Sequence, residues 1–146
     1  MSPDFIAGVL AQVAAATISL LGLIHLYWVL GGRAGRSAAI PEVEGRQTFS
    51  PSRAATFAVA LALFAAAALV AIAGRIIADP FPSGYTRMAV FLIAALFLGR
   101  AVGDFRLVGF FKRVRGSPFA RLDGTVYTPL CLALGVAILY VAYRGR

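Results

Sequence analysis

The stretch Ala54–Ala73, AATFAVALALFAAAALVAIA, decides the fold class, because it runs for 20 residues without a charge and with Thr56 as its one polar side chain. A helix needs about 20 mainly apolar residues to cross a hydrocarbon core about 30 Å thick. The segment has that length. Ser50-Pro51-Ser52 precedes it, one residue away across Arg53, a start signal in which Ser50 is placed to cap the helix and Pro51 to open it. We read a membrane span over 54–74.

Toward the N-terminus, Phe5–Gly31 is equally free of formal charge and holds His25 near its far end, before Gly31-Gly32 ends it. It is far longer than the apolar core of a secretory signal, about 7 to 15 residues, and its flank carries Asp4 where a signal carries Lys or Arg. It reads as a retained span. Toward the C-terminus, the turn Pro80-Phe81-Pro82-Ser83-Gly84 precedes a third apolar run that is clean only over Met88–Gly99. These 12 residues are too few to cross, so the helix is expected to carry Arg100 and Asp104 at the membrane edge, over 86–108. The fourth span is read over 126–143, closed by Arg144 and Arg146.

Composition supports this reading. The chain has 146 residues, 60% of them hydrophobic and 14% charged, with a mean hydropathy of +0.84, whereas a soluble domain carries about a quarter charged residues. The expected fold is therefore all-α, one domain over 1–146, an antiparallel up-down bundle of four transmembrane helices with loops 32–53 and 109–125 on one side. Gly8, Ala11, Ala15 and Gly22 share a stripe of the first helix, and Ala95, Gly99 and Gly103 recur every four residues in the third. Rows of small residues let helix backbones approach closely in lipid.

Cys131 is the sole cysteine, which excludes an intrachain disulfide, a Cys-x-x-Cys redox pair and a cysteine zinc site. No metal and no cofactor is expected. The net charge of +8 would suggest nucleic acid in a soluble protein, but here the basic residues flank spans and set orientation. Ten of the 14 lie on the side of the two larger loops, against Arg75, Arg87, Arg144 and Arg146 on the other. The positive-inside rule then places both loops in the cytoplasm and both termini outside, in a bacterial inner membrane.

Polar residues gather at the loop side: His25, Tyr27 and Trp28 at the end of the first span, Arg100, Asp104 and Arg106 after the third, and Asp123 and Tyr127 before the fourth. They are the candidate ligand-binding residues, expected to line one pocket. A histidine inside a span is costly unless paired. His25 is thus read either as satisfied by a carbonyl or water, or as a ligand or proton-transfer group, or as a metal ligand completed by a second protomer. Arg100 and Asp104, four apart, are expected to pair on one helix face, with Arg106 reaching the headgroups or holding an anion. Asp123, ahead of Gly124 and Thr125, reads as a helix cap more than as an acid. In Gly109–Gly116, Lys112, Arg113 and Arg115 stand beside Phe110 and Phe111, the pattern of a contact with anionic lipid headgroups. Glu42 and Glu44 read as solvated.

The strings IHLYWVLGG (Ile24–Gly32), FSPS (Phe49–Ser52) and GDFRLVGFFKRVRGSPFARLDGTVYTPLCL (Gly103–Leu132) resemble a family of small bacterial four-helix membrane proteins, domain of unknown function 3995. The resemblance implies an integral membrane protein with polar motifs at the cytoplasmic helix ends, and it implies no activity. The residues favour a binding or accessory protein that holds a lipid headgroup or small amphiphile. An isomerase or transferase acting on a lipid-soluble substrate, with His25 or Asp104 as acid or base, and a subunit of a small oligomeric transporter are the competing readings, as is a partner in another membrane complex.

Overall fold

The computed structural model describes residues 2–82 and 84–144. Ser83 and Arg146, used above in a turn and in the charge count, lie outside the described residues. Four helices are long and apolar enough to cross a membrane. They are α1, Pro3–Val29; α2, Arg53–Ala73; α3, Tyr85–Val102; and α4, Pro118–Arg144. A two-residue hairpin, Glu42–Val43 against Arg46–Gln47, is the strand content of the described residues. The all-α bundle is as expected.

Local chemistry sets the helix starts. Ser2, Ser52 and Ser117 each accept a backbone N–H from three residues on, and Pro3 and Pro118 open their helices. Such caps satisfy one of the four unpaired N–H groups at a helix start and contribute about 1 kcal/mol each. Ser52, rather than the expected Ser50, caps α2. The fourth helix starts eight residues before the expected Val126, because Ser117-Pro118 is itself a start signal.

The third helix is shorter than the expected 86–108. Its 18 residues span about 27 Å at about 1.5 Å per residue. It stops because Gly103, at φ 90°, turns the chain away, and because Gly103 and Gly109 pass so close that a Cβ on either would overlap the other strand's backbone. Phe110 N–H then donates to the carbonyl of Ala101 at 2.9 Å, closing a loop under the helix end.

α1 packs chiefly on α2 and α3 chiefly on α4, and the two hairpins join along α1–α4 and, more lightly, α2–α3. Ile18, Val70, Val90, Ile138 and Val141 fill the centre, and Ala11, Ala14, Ala67 and Ala94 let the helices close on it. Leu20, Leu23, Leu61, Leu92 and Leu96 are more than half exposed, an apolar outer surface suited to lipid. In a bilayer such residues gain nothing by mutual burial, so close packing of the small ones holds the bundle. The small-residue rows need one correction. Ala95 and Gly99 of α3 face outward, and Gly8 has open space around it, whereas Gly22 meets Phe64 and Gly135 meets Leu98.

Glycine positions therefore differ in sign. Gly135→Ala drives a methyl into the Leu98 side chain and backbone and should cost about 1–3 kcal/mol. Gly8→Ala meets nothing and should be neutral or stabilising by up to about 1 kcal/mol through helix propensity. Thermal unfolding of both variants in one detergent checks the contrast.

Candidate functional site

The polar residues at the loop end fall into two sites rather than one pocket. The first is a buried ion cluster. Asp123 is wholly buried; its Oδ1 accepts from Arg100 Nη2 at 2.6 Å, and its Oδ2 accepts from Gly109 N–H at 2.9 Å, Lys112 Nζ at 3.0 Å and the Thr128 hydroxyl at 3.2 Å. Asp123 is thus not a helix cap. It lies inside α4, where one wide turn, Asp123–Tyr127, inserts between Pro118–Leu122 and the regular helix from Thr128. Such single wide turns occur frequently at functional sites. Here the turn sets Asp123 and Thr128, five apart, on the same anchoring point.

Two further expectations are corrected by this cluster. Arg100 pairs with Asp123 and not with Asp104, because α3 ends before Asp104 can complete an i,i+4 turn. Lys112 is buried rather than reaching lipid headgroups, since its ammonium bridges Asp123 and the Gly109 carbonyl. Two cations on one carboxylate leave the cluster one positive charge in excess, and Arg100 Nη1 is buried without a hydrogen-bond partner among the described residues. Asp104 does different work. Its Oδ1 accepts the N–H groups of Arg106, Leu107 and Val108 at 2.7–3.0 Å. Those bonds, that of Val108 foremost, hold its carboxyl below the usual carboxylate range. Arg106, Arg113 and Arg115 are exposed on this loop with Phe110 and Phe111.

The second site is a cavity of about 320 Å³ between α1, the 36–51 loop and α2, lined by His25, Trp28, Arg36, Phe49, Thr56 and Val59 among others. His25 Nδ1 donates to the Leu21 carbonyl at 2.8 Å. A carbonyl only accepts, so Nδ1 carries a proton. His25 is thus satisfied at one nitrogen by its own helix, with the other open to chemistry. Its ring meets Trp28 edge-on at 5.0 Å, and Trp28 Nε1 donates to Ala34 at 2.8 Å. The Thr56 hydroxyl donates to the Ser52 carbonyl. Tyr27 lies outside the cavity wall, packed over Gly32. Tyr127 packs on Phe119, and its hydroxyl donates to the Ala38 carbonyl at 3.3 Å, tying α4 to the loop that roofs the cavity.

Of the residues expected to form one pocket, the cavity takes His25 and Trp28, and the cluster takes Arg100 and Asp123. Arg36 was counted as a topology charge, yet it lines the cavity. The signal available was Gly31, Gly32 and Gly35: Gly31 and Gly35 have positive φ and turn the chain back over the end of α1. Among the described residues no group of three or more His, Cys, Asp or Glu side chains is arranged to hold a metal ion.

Four apolar helices long enough to cross, with polar groups gathered at their ends, define a small multi-pass membrane protein. A family model described as "Protein of unknown function (DUF3995)" matches residues 18–138, and the chain belongs to that family. No curated protein and no solved structure matches it.

Removing the charge of Asp123 leaves Arg100 and Lys112 without their counter-ion. Asp123→Asn should cost about 3–5 kcal/mol, the scale for breaking a buried pair, and should free the 103–117 loop for trypsin at Arg106 and Arg113. Lys112→Met, which leaves Asp123 paired with Arg100, should cost less. Detergent unfolding and limited proteolysis check the order.

Proposed function

We propose that the protein is a binding or accessory protein of the bacterial inner membrane that holds a lipid headgroup or small amphiphile in the His25 cavity. The single observation that carries this reading is the build of the cavity. Its polar side chains, His25, Arg36 and Thr56, lie among apolar walls, and Phe49, Ala55 and Val59, which border it, are exposed on the outer surface. A site of this size with few polar groups among apolar walls is the usual form of a small-molecule pocket. An occupant with a polar head and an apolar tail fits such a site, the head within and the tail along Val59 toward lipid.

Protein released gently from its own membrane should carry a stoichiometric adduct in native mass spectrometry. Ile40→Trp, which fills the cavity from a nearly buried position, should remove it, and His25→Ala should reduce it. Bare wild-type protein, with both variants equally stable, would turn the search toward protein partners.

The excess of Lys and Arg at the loop end supports loops in the cytoplasm and both termini outside. Alkaline phosphatase fused at the C-terminus should be active and a fluorescent protein there dark; the reverse pattern would invert the topology.

A further inference from the structure

We propose that the head of the cavity's occupant is an oxyanion, a carboxylate or phosphate, held by Arg36; this rests on the reading of the cavity as an amphiphile site. The argument is an accounting of counter-ions. Six acidic side chains are present in the whole chain, and each has its place elsewhere. Asp4 pairs with Arg144 at the opposite end. Asp79 accepts from Phe81 N–H and the Thr86 hydroxyl. Asp104 is bonded to three backbone N–H groups of its own loop, and Asp123 to Arg100 and Lys112. Glu42 and Glu44 line a separate cleft against Val114 and Pro118.

Arg36 therefore faces the cavity with no carboxylate on it among the described residues. Its Nη2 donates to the Pro51 carbonyl at 3.1 Å. That bond fixes the half-buried guanidinium in place and leaves most of its five N–H donors free. A fixed guanidinium beside apolar walls is a ready binder of carboxylate or phosphate, because hydrogen bonds between ionised partners are the strong ones. The other donors at the wall are spent: Trp28 on Ala34 and Thr56 on Ser52. Neutral or cationic heads would leave Arg36 uncompensated.

Trp28 is the sole tryptophan of the chain and lines the cavity, so its emission reports occupancy. The wild-type protein in a neutral maltoside detergent is titrated with oleate, 1-oleoyl lysophosphatidate, oleyl alcohol and oleylamine. At least one of the two anions should shift the emission saturably and bind about tenfold to hundredfold more tightly than the alcohol, the scale of one hydrogen bond to a charged group. The tighter anion distinguishes carboxylate from phosphate. Arg36→Gln should abolish the preference over the alcohol, and Arg36→Lys should restore part of it. Equal binding of anions and alcohol by the wild type would overturn the oxyanion while the amphiphile site stands, a comparison that decides even where Arg36→Gln fails to fold. No saturable shift with any of the four probes would overturn both.

Discussion

A carboxylate that is wholly withdrawn from solvent inside a helix demands partners, and much of the loop end follows from that demand. Asp123 draws Arg100 from the end of α3, Lys112 and the Gly109 amide from the following loop, and the Thr128 hydroxyl from the next turn of its own helix. An unpaired charge there would be prohibitively costly. The wide turn in α4, the sharp exit at Gly103 and the return of the chain at Gly109 are all geometries that let these groups converge on one side chain.

Away from that end the bundle obeys a different rule. The middles of α2, α3 and α4 are apolar on every face and α1 adds Gln12, Thr17 and Ser19, so lipid and protein interior compete on nearly equal terms for leucine, and close fit decides which residues point inward. Alanine and glycine at the crossings shorten the distance between backbones, Ile18, Val70, Val90, Ile138 and Val141 fill the centre between them, and the remaining large aliphatic side chains take the outer surface. Gly22 beneath Phe64 and Gly135 beneath Leu98 are contacts of this kind, and they explain how helices with little amphipathic contrast still adopt one arrangement.

The fold class, the number of spans and the ends at which polar groups collect were legible from hydropathy and length, because a bilayer imposes both on the chain. The pairing of polar groups was not. Arg100 and Asp104 invite an i,i+4 pair only if the helix continues, and two glycines six residues apart end it. Lys112 looks like a surface residue in a basic run, and nothing nearby in sequence announces that Asp123 will bury it. The start of α4 was readable in Ser117-Pro118 but was masked by Arg121 and Asp123, charges that argue against a membrane helix until Asp123 is seen to be paired in the ion cluster and Arg121 to be exposed at the helix's loop end. Arg36 lay in a loop whose path depends on glycine torsions, and torsions are what composition encodes least.

The two polar sites also divide along the chain. Every cavity residue named here falls between His25 and Val59, within the α1–α2 hairpin, while the ion cluster is drawn wholly from Arg100 to Thr128, within the α3–α4 hairpin. Each half thus draws its own polar centre from neighbouring sequence. The bond from the Tyr127 hydroxyl to Ala38 crosses between them. The protein is in this sense two hairpins in tandem, one carrying the receptacle and the other acting as a brace whose tyrosine fastens the roof.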